Sequence, residues 1–83
     1  MEPEEAFGIV LREQRKRRGL SQESLAHEAA VERNYISLLE LGRNSASVNM
    51  IFKLTAALGV SVSEFMTLVE GKCTQGRKPR RVK

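Results

Sequence analysis

Near the middle of the chain, four side chains that can contact the edges of base pairs stand at helical spacing: Arg33, Asn34, Ser37 and Leu38. Residues four apart lie side by side on a helix, so Arg33 lies beside Ser37 and Asn34 beside Leu38. Arginine can donate two hydrogen bonds to guanine, asparagine can pair with adenine, serine can donate or accept, and leucine can contact a thymine methyl group. The same residues could also form an ordinary solvated helix face, so the surrounding pattern has to decide between the two interpretations.

The segments around this patch predict two short helices joined by a tight turn. Ser21 is typical of a helix N-cap and predicts a helix over about 22–29. A second helix over about 32–42 carries the four residues on its outward side. Two helices with such a connection form a helix-turn-helix, whose second helix enters the major groove of DNA. The pattern therefore favours base contact and predicts a DNA-reading unit between Ser21 and Leu41.

Three further helices are predicted around this unit, and the expected fold is a compact all-α domain of five helices over residues 1–70. The first runs over about 4–18, with acidic residues at its start and arginines at its end, an order that suits the helix dipole. The fourth begins after Ser47, and the fifth begins at a capping box, Ser61-Val-Ser-Glu64. No segment between residues 4 and 70 has the alternating pattern of a strand.

The positive charge of the chain is concentrated at its C-terminal end. The formal net charge is +4, but residues 1–70 hold eight Lys or Arg against ten Glu, whereas residues 71–83 hold six Lys or Arg and no acid. The composition of this last segment predicts a basic, flexible tail over 71–83. The tail could attract DNA phosphates regardless of sequence or serve only as a solubilising end, and its composition does not decide between these roles.

Composition and residue counts exclude several classes of function. No apolar run approaches the roughly 18 residues of a membrane helix, and the acidic start is unlike a signal peptide, so a cytoplasmic protein is expected. His27 and Cys73 are single residues of their types, which leaves no metal site and no catalytic pair. We therefore expect neither an enzyme nor a cofactor. We expect no small-molecule effector either, because so short a chain has little left once its core is built.

Two sequence blocks at a characteristic separation resemble a known family. Gly19-Leu-Ser-Gln-Glu-Ser-Leu-Ala26, followed by Tyr35-Ile-Ser-Leu-Leu-Glu-Leu-Gly-Arg43 and Leu58-Gly-Val60, is similar to the lambda-repressor-like (Cro/XRE-type) helix-turn-helix family. The resemblance covers about residues 7–65. Within this family, the element Arg33-Asn-Tyr-Ile-Ser37 most resembles the controller proteins of restriction–modification systems.

The resemblance implies roles for the residues at matching positions. The outward patch would face the bases, and a second set of residues would contact DNA phosphates: Gln22, Tyr35, Arg43, Asn44 and Ser47. Arg15 and Glu40 match a pair that bridges the first and third helices in this family. We therefore expect a structural ion pair there, supporting the fold rather than reading DNA.

Three residues depart from the family pattern. Ala30 stands where the family usually has the glycine of the turn, and an alanine in a left-handed conformation costs roughly 1–2 kcal/mol. Leu38 and Leu41 occupy positions that are more often polar. Leu38 has a partner in a thymine methyl group, but Leu41 has none, and exposed leucines favour a surface that meets protein. An alternative function therefore stays open, a protein-interaction module of the same fold such as an antitoxin-type partner.

One recognition helix covers too few base pairs for useful selectivity, so such domains commonly pair on half-sites about 34 Å apart or a multiple of it. We therefore expect a homodimer on an inverted-repeat operator, acting as a transcriptional repressor or activator, with RNA polymerase as a candidate second partner. The predicted dimer interface consists of apolar residues in the last two helices beyond what one core stripe needs: Phe52, Phe65, Met66, Leu68 and Val69.

Overall fold

The computed structural model describes residues 1–74, which form five α-helices and no strand. The helices are α1 (Pro3–Arg17), α2 (Gln22–Ala29), α3 (Arg33–Glu40), α4 (Val48–Leu58) and α5 (Val62–Cys73). The five-helix, all-α architecture is the one predicted, and the predicted helix boundaries lie within a few residues of the observed ones.

Serine side chains start three of the helices. The hydroxyl oxygens of Ser21, Ser47 and Ser61 accept hydrogen bonds from backbone N–H groups in the first turns of α2, α4 and α5, at 2.9, 3.1 and 3.0 Å. Ser61 completes the predicted capping box, because the Glu64 carboxylate accepts from the Ser61 backbone N–H. Each cap satisfies a donor that a helix start otherwise leaves unpaired and stabilises its helix by about 1 kcal/mol.

The core lies between α1 and the helices that pack on it. α1 packs against α3 and α5, and α2 packs against α3 and α4. The rings of Phe7 and Phe65 meet edge to face, with centroids 5.1 Å apart. The other buried apolar side chains are aliphatic or small: Ala6, Val10, Leu11, Leu25, Ala26, Ala29, Ile36, Leu39, Leu54, Leu58 and Val69.

Gly8 permits a close approach of α1 to the end of α3. A Cβ atom at this position would overlap the backbone carbonyl oxygen of Leu39 and lie 2.8 Å from that of Glu40. Both obstacles are backbone atoms, so they cannot move aside as a flexible side chain can. A glycine inside a helix is about 0.5–1 kcal/mol less favourable than alanine, and here the packing of two helices requires it.

The last helix extends three residues beyond residue 70, where the sequence pattern placed the end of the domain. α5 continues to Cys73, and Lys72 in its last turn lies 3.4 Å from the Glu13 carboxylate of α1. This ion pair joins the end of α5 to α1, so residues 71–73 belong to the folded domain. Residues 75–83, the rest of the predicted basic tail, lie outside the described residues.

Two of the five residues predicted at the dimer interface are core residues instead. Phe65 is 0% exposed and Val69 is 3% exposed. They lie on the side of α5 that packs on α1, because α5 needs its apolar stripe to close the core of a single chain. Their assignment to an intersubunit surface is therefore wrong.

The described residues also bear on two of the excluded classes. Among residues 1–74, no single helix is long and apolar enough to cross a membrane. The pair α4 and α5 reaches that length and composition only together, with a bend of 107° between them. In the same part of the chain, no group of three or more His, Cys, Asp or Glu side chains is placed to hold a metal ion.

Candidate nucleic-acid interface

Residues 30–32 join α2 to α3 and fix the direction of the second helix. Ala30 ends α2 in a left-handed conformation, with φ 59° and ψ 46°, and is the one non-glycine residue of 1–74 with positive φ. Its N–H donates to the His27 carbonyl at 3.2 Å, and the Val31 N–H donates to the Ala26 carbonyl at 2.9 Å, which closes the helix end as a Schellman motif. The turn keeps the geometry that favours glycine, at a cost of roughly 1–2 kcal/mol for an alanine.

The outward side of α3 carries the four residues predicted to contact bases. Arg33 and Asn34 are exposed, Ser37 is half-buried and Leu38 is 37% exposed, whereas the opposite side of the helix lies in the core. Within residues 1–74, the Arg33 and Asn34 side chains make no hydrogen bond or ion pair. Their donors and acceptors are therefore available to an external partner and suit the edges of guanine and adenine.

The loop between α3 and α4 presents a second group of polar side chains. Arg43 and Asn44 are exposed, and neither side chain has an intramolecular partner in the part of the chain described. Ser47 follows at the N-cap of α4, where its hydroxyl oxygen accepts from the Met50 N–H at 3.1 Å. A guanidinium group, an amide and a helix N-terminus in sequence suit the phosphate oxygens of a DNA backbone.

Tyr35 is bonded within the protein. Its hydroxyl donates to the Ser45 carbonyl at 3.2 Å, and the Ser45 hydroxyl donates to the Glu4 carboxylate at 3.3 Å. These bonds tie α3 to the following loop, and the loop to the start of α1. In this structure the hydroxyl proton of Tyr35 is given to Ser45, so the side chain holds the loop that carries Arg43 and Asn44, and the predicted phosphate contact would need the same proton. Sequence reasoning missed this connection, because no local pattern relates Ser45 to Glu4, 41 positions away.

The ion pair predicted between Arg15 and Glu40 is present behind this surface. Arg15 Nε lies 2.6 Å from Glu40 Oε2 and Nη2 lies 3.0 Å from Oε1, and the two side chains are only 10% and 5% exposed. The remaining guanidinium nitrogen, Nη1, donates to the Leu20 carbonyl at 2.9 Å. The hydrogen bonds to Glu40 outweigh the effect of burial and raise the pKa of Arg15 above its ordinary value. The pair therefore joins α1, the loop after it and the last residue of α3.

Gln22, a predicted phosphate contact at the start of α2, is bonded to the same pair. Its Nε2 atom donates to Glu40 Oε1 at 3.0 Å, and its side chain is partly buried. A carboxamide nitrogen carries two protons, so one remains for a second acceptor. Gln22 is thus placed between the buried pair and the exposed side of the helix-turn-helix.

The remaining residues predicted at a dimer interface differ in exposure. Phe52 on α4 is 59% exposed, Leu68 on α5 is 46% exposed and Met66 is half-buried. Val48, four residues before Phe52, is 70% exposed, although its spacing from Ile51 and Leu58 is that of the apolar stripe of α4. Helical spacing places Val48 and Phe52 on one side of α4. This exposed apolar side has no partner within the described residues.

Comparison with known proteins agrees with this architecture. The model of the helix-turn-helix family matches residues 11–65, a segment that includes α2, α3 and α4 in full. The chain is 37% identical over 65 residues to control protein C.MunI from Mycoplasma sp., and the match covers 77% of this chain and 88% of that protein.

Two solved structures are similar in both sequence and fold. The restriction-modification controller protein C.AhdI from Aeromonas hydrophila is 39% identical, with a TM-score of 0.73 over 75% of this chain and 94% of that one. The clp gene regulator ClgR from Corynebacterium glutamicum is 32% identical, with a TM-score of 0.83 over 87% of this chain and 77% of that one. With the exposed outward side of α3 and the matched family segment, these likenesses establish that the chain belongs to the Cro-type helix-turn-helix family of DNA-binding transcriptional regulators, which includes restriction–modification controller proteins.

Proposed function

We propose that this protein binds an inverted-repeat operator as a homodimer and controls the expression of a restriction–modification system. The observation that carries the proposal is the outward side of α3, where Arg33 and Asn34 are exposed on a helix whose other side is fixed in the core. The controller proteins C.MunI and C.AhdI support the assignment to restriction–modification genes. ClgR is by name a clp gene regulator, so fold likeness alone does not name the regulated gene.

In this proposal α3 lies in the major groove and its outward residues read the bases. Arg33 and Asn34, in the first turn of the helix, pair with guanine and adenine, and each bidentate pair discriminates by about 1–3 kcal/mol. Ser37 and Leu38 follow one turn later, the first as donor or acceptor and the second against a thymine methyl group. The available side chains thus favour a half-site that contains both a guanine and an adenine.

A second group of residues holds the domain on the sugar–phosphate backbone. Contacts to phosphate fix position and orientation without reading sequence, so their loss weakens binding to every duplex alike. The proposed contacts come from the start of α2 and from the loop that leads into α4: Gln22, Arg43, Asn44 and Ser47. Tyr35 supports this loop through Ser45.

The proposed homodimer pairs through exposed apolar side chains of the last two helices. Phe52 and Val48 give α4 an apolar side, and Leu68 adds an exposed leucine on α5. Apolar surface that is left in contact with water is typical of an interaction site. Since Phe65 and Val69 lie in the core, the proposed interface rests on these three residues, with the half-buried Met66 two residues before Leu68.

Sedimentation at about micromolar concentration tests the dimer, because obligate pairing depends on protomer concentration. We expect the wild-type protein to sediment at twice the chain mass of 9.3 kDa. Phe52→Asp should sediment as a monomer, because it places a charge in the interface, whereas the control Arg12→Asp, at an exposed position of α1 outside the proposed interface, should remain a dimer. A wild-type monomer with and without DNA, or a Phe52→Asp dimer, would contradict the proposed interface.

Selection from a pool of random duplexes at about 0.15 M salt tests the proposed function as a whole, since affinities are comparable only at fixed salt. We expect enrichment of an inverted repeat whose two halves are separated by a fixed number of base pairs. Arg33→Ala should lose the preference at one base position in each half-site. No enrichment by the folded wild-type protein would contradict sequence-specific recognition.

One observation favours a second candidate function, a protein-interaction module such as an antitoxin-type partner. Leu41, directly after α3, is 64% exposed and lies next to the proposed DNA-binding face. The two functions make opposite predictions for a pair of variants. DNA recognition requires that Arg33→Ala loses selective binding and that Leu41→Asn keeps it. A partner-binding surface requires that Leu41→Asn loses a co-purifying protein and that Arg33→Ala keeps it.

RNA polymerase is the proposed second partner, and the position of the operator decides the direction of regulation. A dimer bound over a promoter represses by excluding the polymerase, whereas one bound upstream activates by touching it. In vitro transcription from a template that carries the selected operator at either position measures the effect directly. Equal transcript levels with and without the protein at both positions would contradict a regulatory role.

A further inference from the structure

Glu40 has more hydrogen bonds than an ion pair requires. Its carboxylate accepts two bonds from Arg15 and a third from the Gln22 side chain, with Oε1 shared between Arg15 Nη2 and Gln22 Nε2 at 3.0 Å each. The Glu40 side chain is 5% exposed, so these bonds form with little competition from water. Arg15 Nη1 is held in turn by the Leu20 carbonyl, which fixes the guanidinium group from the other side.

The bond from Gln22 restricts a side chain that would otherwise be free to rotate. A glutamine has three rotatable side-chain bonds, and fixing such a side chain costs conformational entropy. A carboxamide that is already held before DNA arrives does not lose this freedom on binding. One N–H of Gln22 is given to Glu40, which leaves the second N–H and the carbonyl oxygen in a defined orientation.

We propose that Glu40 is a positioning residue for DNA binding, which holds the Gln22 carboxamide so that its second N–H donates to a phosphate. The ion pair with Arg15 thus has a role in binding as well as in stability. This inference rests on the proposed phosphate contact of Gln22. It assigns to Glu40, which does not touch DNA, a contribution to the affinity for every duplex.

Electrostatics and positioning predict opposite effects when the charge of Glu40 is removed. A carboxylate near DNA repels phosphates, so Glu40→Gln should tighten binding if charge alone matters. If Glu40 positions Gln22, the same variant weakens binding although the protein becomes more positive. A glutamine at position 40 keeps only one acceptor oxygen, which is neutral, and its NH2 group faces the N–H donors of Arg15 and Gln22. The sign of the change therefore separates the two effects before its size is considered.

The test is a double-mutant cycle of Glu40→Gln and Gln22→Ala, read as affinity for one fluorescent duplex at fixed salt. Gln22→Ala should weaken binding about tenfold, the size expected for one hydrogen bond to a charged group. Glu40→Gln should weaken it severalfold, and the double variant should bind no more weakly than Gln22→Ala alone. Independent roles would instead multiply the two losses, because uncoupled effects add in free energy. A multiplied loss, or tighter binding by Glu40→Gln, would overturn the inference.

A variant that keeps the charge covers the case in which Glu40→Gln does not fold. Glu40→Asp keeps the negative charge opposite Arg15 but is one methylene shorter, so the bonds that Oε1 accepts from Gln22 and from Arg15 Nη2 both lengthen. It should weaken DNA binding severalfold in the wild-type background and leave Gln22→Ala unchanged. Binding by Glu40→Asp equal to wild type would overturn the inference.

A measurement without DNA separates this inference from the proposed function. The heteronuclear NOE of the Gln22 side-chain amide should match that of the rigid backbone in the wild-type protein and fall in Glu40→Asp. A mobile Gln22 amide in the wild-type protein would overturn the positioning role even if the protein binds its operator. Unchanged DNA binding by Gln22→Ala would contradict the proposed phosphate contact of Gln22, and the positioning role of Glu40 would fail with it.

Discussion

The outward side of α3 and its inward end differ in how their polar residues are held. Arg33 and Asn34 on the outward side are exposed and bond to nothing within residues 1–74. Glu40 at the inward end is buried and accepts three hydrogen bonds from Arg15 and Gln22. Residues of the first kind can change without loss of the fold, whereas those of the second kind set the direction of the helix. An eight-residue helix thus carries the residues proposed to read bases on one side and a residue that holds the fold at its other end.

The largest expected effect comes from breaking the buried pair from one side. Arg15→Ala leaves the Glu40 carboxylate buried without its cation and should lower the free energy of unfolding by about 3–5 kcal/mol. Chemical denaturation followed by circular dichroism measures this loss. Arg12→Ala, an exposed arginine on the same helix, is the matched control and should stay within about 0.5 kcal/mol of wild type. Similar losses in both variants would mean that the pair of Arg15 with Glu40, at the inward end of α3, adds nothing special to stability.

The pH dependence of this contribution follows from the sign of the pKa shift. The pKa of Arg15 is raised in the folded protein by its hydrogen bonds to Glu40. A raised pKa gives stability that is present at lower pH and lost as the pH rises through the folded value. The arginine contribution is therefore complete at neutral pH. Between neutral and mildly alkaline pH, the free energy of unfolding should therefore change equally in the wild-type protein and in Arg15→Ala, as measured by chemical denaturation at each pH.

The second largest expected effect on stability comes from adding a side chain at Gly8, where α1 packs on the end of α3. Gly8→Ala forces a methyl group against the carbonyls of Leu39 and Glu40 and should destabilise the fold by about 1–3 kcal/mol. The control is Gly71→Ala in α5, where a Cβ atom has no neighbour within 4 Å. Gly71→Ala should stabilise the protein by about 0.5–1 kcal/mol, because alanine favours a helix. Thermal melts of the two variants should therefore shift in opposite directions, and a shared direction would contradict the close packing of α1 on α3.

On the outward side, Arg33→Ala should change recognition and leave stability alone. We expect a loss of about 1–3 kcal/mol in discrimination at one base position, with a melting temperature equal to that of wild type. Binding to operator duplexes that vary at each position measures the preference. Arg43→Ala is the contrasting variant, since loss of a phosphate contact weakens all duplexes alike and lowers the salt slope by about 1 for each subunit, or about 2 for the proposed dimer. An equal loss of affinity for all duplexes in Arg33→Ala would mean that Arg33 contacts the DNA phosphates and not a base.

The smallest expected effect lies in the turn that joins the two helices. Ala30→Gly relieves the left-handed alanine and should stabilise the protein by about 1 kcal/mol, with base preference unchanged. Ala56→Gly, at an exposed helical position in α4, is the control and should destabilise by about 0.5–1 kcal/mol. Loss of stability in both variants would mean that the left-handed conformation is not occupied in solution.

Local signals were sufficient for the elements of the fold and for the position of the helix-turn-helix. Ser21, Ser47 and Ser61 predicted three helix starts, because a capping hydroxyl bonds to the backbone only two or three residues ahead. The outward patch of α3 followed from helical spacing alone. The pair of Arg15 and Glu40 could be predicted only because the motif resembles a family that has it.

The interface prediction was wrong for Phe65 and Val69, because the sequence pattern has two equivalent solutions. An apolar stripe on a short helix can cover the core of its own chain or a second copy, and the spacing is the same in both cases. Phe65 and Val69 are buried against α1, whereas Val48, which has the spacing of a core residue, is exposed. Packing on α1 decides which side of α5 is buried, and packing on α2 and α5 decides it for α4.

The sequence alone determined the number of helices, their starts and the outward chemistry of α3, because each depends on contacts between residues that are close along the chain. Only the tertiary structure decided how distant residues meet. It joined Gln22 to Glu40 across 18 positions, Tyr35 to Ser45 across ten, and Ser45 to Glu4 across 41. Such bonds depend on the angles at which helices cross. Those angles are set by the packing of the whole core, including the close contact at Gly8, and leave no periodic mark in the sequence.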